Sequence, residues 1–171
     1  MDPRTMSPGT DRWLTDSRVY NLIWLGRWVE RAQNVARMLL WAAEHEETND
    51  LGDVLGIAAD MRGITVAADD SALEVLLTRD SGGSLRGCLE AARYNATHVA
   101  PVEVIRIVGT AIETLNRHDP ASSPADLAAL MRSILATLDE LHGAVEEAWF
   151  HSDALSEEEV YLRFVQQQQQ Q

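Results

Sequence analysis

Apolar residues along this chain recur at intervals of three and four, the spacing of one face of an α-helix, and not at the interval of two that marks a half-buried strand. Leu22, Leu25, Val29, Ala32, Ala36, Leu39 and Ala43 form one such stripe, which Asp16 or Ser17 can cap and which predicts a long first helix to about Glu46. Residues 50–65 carry a weaker, Gly-interrupted helical pattern. Ser71-Ala-Leu-Glu74 fits a capping box and opens a short helix over Leu73, Leu76 and Leu77. After the loop RDSGGS, Ser84 caps a helix to about His98. Pro101 breaks the chain and starts another, with Val104, Ile105, Val108, Ile112 and Leu115 on one side. After RHDPASS, Ser123-Pro124 opens a last long helix striped by Leu127, Leu130, Ile134, Leu138, Leu141, Val145 and Ala148. No stretch alternates convincingly enough for a strand. The pattern predicts an all-α protein, an antiparallel helical bundle of three long and two or three short helices. The bundle spans residues 14–165, between a Pro/Gly/Ser/Thr-rich lead-in at 1–13 and a low-complexity glutamine tail at 166–171.

Composition narrows the function classes. The 171 residues suffice for one domain with a real core, and 46% of them are apolar, which argues against disorder between the ends. The formal net charge is −13, and all 14 basic residues are arginine. Chemistry that needs a lysine amine within this chain is therefore excluded. The acidity argues against nucleic acid or an anionic membrane as partner, because phosphate contacts need a basic surface. A single cysteine, Cys88, allows no internal disulfide. Without a signal-peptide core or an apolar run near the ~18 residues of a membrane span, a reduced, cytoplasmic protein is expected.

The first helix has a second face. Arg27, Glu30, Arg31 and Asn34 fall within a sector of about 100°, framed by Tyr20, Ile23 and Trp24 before them and by Met38 and Trp41 after them. A solvated face with extended arginines is one reading. The frame of Trp24, Trp28 and Trp41 favours two others: a covered polar network, or a patch that recognises a ligand or partner. In the covered network Glu30 would reach Arg27 and Asn34, and Glu30→Ala would strand two cations at a cost of about 3–5 kcal/mol. A second cluster lies in SLRGCLEAARYN, where Arg86, Glu90 and Arg93 sit at i, i+4 and i+7; surface pairing is the plainer reading.

No set of residues argues for catalysis. Asp139-Glu-Leu-His142 is a single, Asp-substituted copy of the Glu-x-x-His element that bundle di-metal sites need in duplicate, so no metal or other cofactor is expected. Cys88 lies mid-helix on an apolar side, where thiols are inert. DSGGS lacks the strand and spacing of a phosphate loop.

The block Asn21-Leu-Ile-Trp-Leu-Gly-Arg27, followed by Glu30-Arg31-Ala32, Asn34, Ala36 and Arg37, closely resembles the opening of the alpha-E family, a bacterial all-α domain with a Glu-Arg motif. SLRGCLEAARYN resembles that family's second block, including Asn95, with Tyr94 where the family usually has Glu; LSEEEVYLRF resembles the approach to a later arginine-rich block. The likeness runs over about residues 17 to 165. Alpha-E domains occur beside, or fused to, circularly permuted ATP-grasp proteins and transglutaminase-like proteins. The resemblance therefore implies a non-catalytic interaction or scaffold subunit of a peptide or amide-bond ligase system, with an ATP-grasp-like ligase and a transglutaminase-like protein as partners. The alternative is an enzyme component whose Arg/Glu patch binds a carboxylate or phosphate substrate. An apolar groove along Trp24, Trp28 or Trp41 is expected, and with it self-association or a tight protein partner.

Overall fold

The computed structural model describes residues 16–45, 51–119 and 123–149, and everything said below of the structure concerns these residues. The expectations for the lead-in, for LSEEEVYLRF and for the glutamine tail lie outside them. Six helices follow in order: α1 (Asp16–Glu44), α2 (Leu51–Met61), α3 (Ala72–Thr78), α4 (Leu85–Val99), α5 (Val102–Leu115) and α6 (Pro124–Trp149). No strand occurs among the described residues, so the chain is all-α. α1 has 29 residues and α6 has 26, while α4 and α5 have 15 and 14. Ala100 and Pro101, which interrupt α4 and α5, keep both of them short.

The caps are those the sequence announces. Ser71 Oγ accepts from the Glu74 amide and Ser84 Oγ accepts from the Gly87 amide, so each occupies one of the donors a helix start leaves open. Pro101 stands at the N-cap of α5 without a side-chain bond, its fixed φ suiting the helix entrance.

Four helices close a ring, α1 against α4 and α6, and α5 against the same two. Neighbours run antiparallel. Along α1 and α6, Leu22 and Leu25 share a cavity with Leu141 and Val145, Gln33 bonds Asp139, and Glu44 pairs with Arg132. Along α1 and α4, Trp28 lies against Gly82, just before α4, while Tyr20 and Asn21 lie beside Tyr94, Asn95 and His98 at its far end. α2 packs on α3, and α3 on α4, as an annex to the ring.

The core has the expected stripes, each slightly widened. On α1 it takes Leu25, Val29, Ala32, Ala36 and Leu39 together with Val35 and Ala42, while Leu22 and Ala43 are half-buried. On α5, Ile107 and Ala111 join Val104, Val108, Ile112 and Leu115; on α6, Ala128 and Met131 join Leu127, Ile134, Leu138 and Leu141. A helix enclosed by two neighbours needs a wider apolar arc than one stripe supplies.

Two features clamp the loop at residues 79–84 onto α4. A Cβ on Gly87 would fall 1.8 Å from the Ser81 carbonyl oxygen, so the backbone of the loop passes where any side chain would stand. Ser84 Oγ also lies within hydrogen-bond distance of the carbonyls of Arg79 and Ser81.

Candidate functional site

The polar face of α1 is open. Arg27, Glu30, Arg31, Asn34 and Arg37 are all exposed, and among the described residues Glu30 makes no hydrogen bond or ion pair with Arg27, Arg31 or Asn34. The covered network is therefore not what forms. The ring closes behind α1, on its Leu25–Val29–Ala36 side, and no described helix lies over the Arg27–Asn34 sector. What holds the arginines is aromatic. The Arg27 guanidinium sits 5.2 Å from the Trp24 ring centroid and that of Arg31 sits 4.7 Å from the Trp28 ring. Such stacking contributes about 0.5–1 kcal/mol at an exposed site and fixes the direction of the cation.

The rings form a ladder. Trp24 stacks on Trp28 with centroids 5.7 Å apart, and Tyr20 tilts against Trp24 at 6.0 Å. These are i, i+4 neighbours along one helix edge. Trp28 anchors the ladder, since it packs on the core and its ring closes on Gly82, where a Cβ would stand 2.9 Å from the ring. Trp41 belongs elsewhere. It is 43% exposed, a turn or more beyond the motif, and stacks on His45 at 4.8 Å.

Between this ladder and the end of α4 lies a groove of about 470 Å³, lined by Tyr20, Asn21, Trp24, Trp28, Tyr94, Asn95 and His98. Asn95 is only 6% exposed, and its Nδ2 donates to the Ala91 carbonyl at 2.7 Å. Its carbonyl oxygen has no partner among the described residues, yet no buried side-chain polar atom there is left unsatisfied, so this oxygen meets solvent through the groove. Asn21 is held the same way, with Nδ2 on the Ser17 carbonyl at 2.8 Å. His98 Nδ1 lies 2.7 Å from the Tyr94 carbonyl, which can only accept; Nδ1 therefore carries a proton and, in the neutral ring, Nε2 is an acceptor. Tyr94, in the place where a glutamate was the family expectation, is 65% exposed and tilts over the His98 ring at 4.6 Å.

The second cluster on α4 divides. Glu90 pairs with Arg93 at i+3, 2.7 Å, and not with Arg86 at i−4. With Glu90 and Arg93 partly exposed, this is the plain surface pairing, worth a few tenths of a kcal/mol. The structure thus brings Trp24, Trp28 and Asn95 together around one groove, sets Arg27 and Arg31 on its ladder, and leaves Trp41 outside it.

Catalytic groups do not gather here. Burial pushes the Cys88 thiol up to about 11 against the weaker opposing pull of Arg62 and Arg31, and its Sγ donates to the Gly82 carbonyl at 3.4 Å. Among the described residues no three His, Cys, Asp or Glu side chains are placed to hold a metal ion, and no helix is long and apolar enough to cross a membrane. Sequence reasoning missed two polar ties, Gln33 to Asp139 at 3.4 Å and His118 to Glu74 at 2.9 Å. Gln33 interrupts the apolar pattern next to Ala32, which was the available signal.

An all-α ring that turns a Glu-Arg pair outward from its first helix, on a ladder of aromatic rings, defines a class by fold and motif together. The chain belongs to the Alpha-E family, described as a predicted alpha-helical domain with a conserved ER motif, whose family model matches residues 17–102. That span takes in α1 to α4 and so contains both sides of the groove. No curated protein and no solved structure matches the chain.

Proposed function

We propose that this chain is a non-catalytic interaction subunit of an ATP-grasp-type peptide or amide-bond ligase system in the bacterial cytoplasm, and that it meets its partner through the outward face of α1. The observation that carries the reading is the state of that face. Tyr20 and Ile23 are 60% and 53% exposed, and Arg27 and Arg31 stand on tryptophans without a carboxylate partner among the described residues. Exposed aromatic and arginine side chains held in fixed positions are what interface centres are made of. Among the described residues the cysteine is buried and no three His, Cys, Asp or Glu side chains are placed to hold a metal ion, so the α1 face is the stronger support.

The reading is tested by co-expressing the tagged full chain with the ATP-grasp-like protein encoded nearest to it. Co-purification in a fixed ratio is expected, with loss of the complex, but not of the folded chain, in Trp24→Ala. A wild-type chain that never retains the ligase would overturn it. A second reading has the unpaired Arg27 and Arg31 hold a carboxylate or phosphate of a small substrate. Calorimetric binding of inorganic phosphate that vanishes in Arg27→Gln would favour this second reading over the first.

A further inference from the structure

We propose that the α1–α4 groove, together with the guanidinium groups of Arg27 and Arg31, docks an acidic segment of a partner protein by an aromatic anchor residue. This rests on the interaction reading above and gives that partner a chemistry.

Three observations point to it. The first is charge. In a chain of net charge −13, α1 and α4 carry six arginines against four acids, whereas α6 carries one arginine against five acids. The two helices that form the groove are thus net basic in an otherwise acidic chain, and Arg27 and Arg31 stand beside the groove without a carboxylate partner among the described residues, an arrangement that favours an acidic partner.

The second is the pair of arginines. They stand one helical turn apart, about 5–6 Å, each fixed over a ring. An extended segment repeats its same-side residues at about 6.6–6.8 Å, so carboxylates at i and i+2 reach both. Glu30 lies exposed between them without a partner among the described residues. It disfavours a third carboxylate and so limits the register of what docks.

The third is the groove itself. Its lining contains no Asp, Glu, Lys or Arg, but four aromatic side chains, two of them more than half exposed, and acceptors on Asn21 and Asn95. An aromatic ring enters as the apolar anchor, and the backbone amides beside it supply the donors those acceptors lack. Asn95, more than nine-tenths buried and fixed by Ala91, is a preorganised acceptor rather than a surface side chain.

The test titrates short peptides into the full chain labelled with ¹⁵N and follows the tryptophan indole signals by NMR. The probe is acetyl-ETETFT-amide, whose two acids and phenylalanine share one side when extended. Its controls are the QTQTFT, ETETAT and KTKTFT peptides. ETETFT is expected to shift the Trp24 and Trp28 indoles saturably and more tightly at low salt. Loss of the acids, loss of the phenylalanine, or the double variant Arg27→Gln/Arg31→Gln is expected to weaken it roughly tenfold or more, with an unchanged thermal melt for the double variant. Glu30→Gln is expected to tighten it.

Equal binding of QTQTFT, or no shift at roughly 5 mM peptide, overturns the proposal. So does tighter binding of ADP or inorganic phosphate at the same signals, which identifies a small anion as the occupant. Movement of those signals on dilution alone assigns the face to a second copy of the chain and likewise overturns it. Peptide binding without ligase co-purification would leave this chemistry standing and remove the ligase as partner, so the two failures are distinguishable.

Discussion

Glu74 and Glu30 both sit on helices patterned with apolar residues, yet they have opposite fates. Glu74, on α3, abandons the reciprocal bond to its own helix start and reaches 44 residues along the chain to His118, whose side chain is only 5% exposed. It joins the annex of the fold to the end of α5. Glu30, on α1, faces solvent between two arginines that turn to tryptophan rings instead of to it. The difference separates polar groups that hold this molecule together from polar groups that it displays. A tie is part-buried, distant in sequence and paired; a displayed group is local, exposed and left open, and the ordering around it comes from neighbours that point past it.

The contrast can be broken most forcefully on the structural side. Gly87→Ala sets a Cβ against the Ser81 carbonyl, a backbone atom with no rotamer to yield. It is expected to destabilise the protein by roughly 3 kcal/mol or more, read as a lowered urea midpoint with an unchanged slope; a change below about 1 kcal/mol would mean that the loop at residues 79–84 is free to move away. His118→Ala removes the buried partner of Glu74 and should cost about 1–3 kcal/mol, while Glu74→Gln, which keeps a hydrogen-bonding oxygen in place, should cost less. The smallest effect is expected where the sequence pattern alone suggested one of the largest. Glu30→Ala should move the midpoint by no more than about 0.5 kcal/mol, because an exposed glutamate without a partner contributes little and alanine is the better helix former. A loss of several kcal/mol in that variant would restore the covered network and undo the comparison.

The fold was legible because its signals are local. Ser71, Ser84, Pro101 and Pro124 mark helix starts within four residues of themselves, and the three–four spacing of α5 and α6 follows from geometry within one helix. The site was legible in its membership and not in its environment. Periodicity places Arg27, Glu30 and Arg31 on one sector, but only the packing of α4 and α6 decides which sector is closed off. The Gln33–Asp139 bond joins residues 106 apart, and no local rule links them. Trp41 was grouped with Trp24 by the helical sector they share, whereas its ring stacks on His45 one turn on and does not line the groove.

The antiparallel closure of α6 on α1 has one more consequence. Because Leu22 shares a cavity with Val145, the start of α1 and the end of α6 emerge at the same end of the ring, the end at which Tyr20, Tyr94 and His98 open the groove. A domain tethered through either of these two helix ends is thereby delivered to the mouth of the groove. Its local concentration there is set by tether length and not by its abundance in solution, reaching the millimolar range for a short flexible link. An affinity too weak to hold two free proteins together is then enough to hold two fused ones, so a shallow, partly polar groove can serve as a lasting contact.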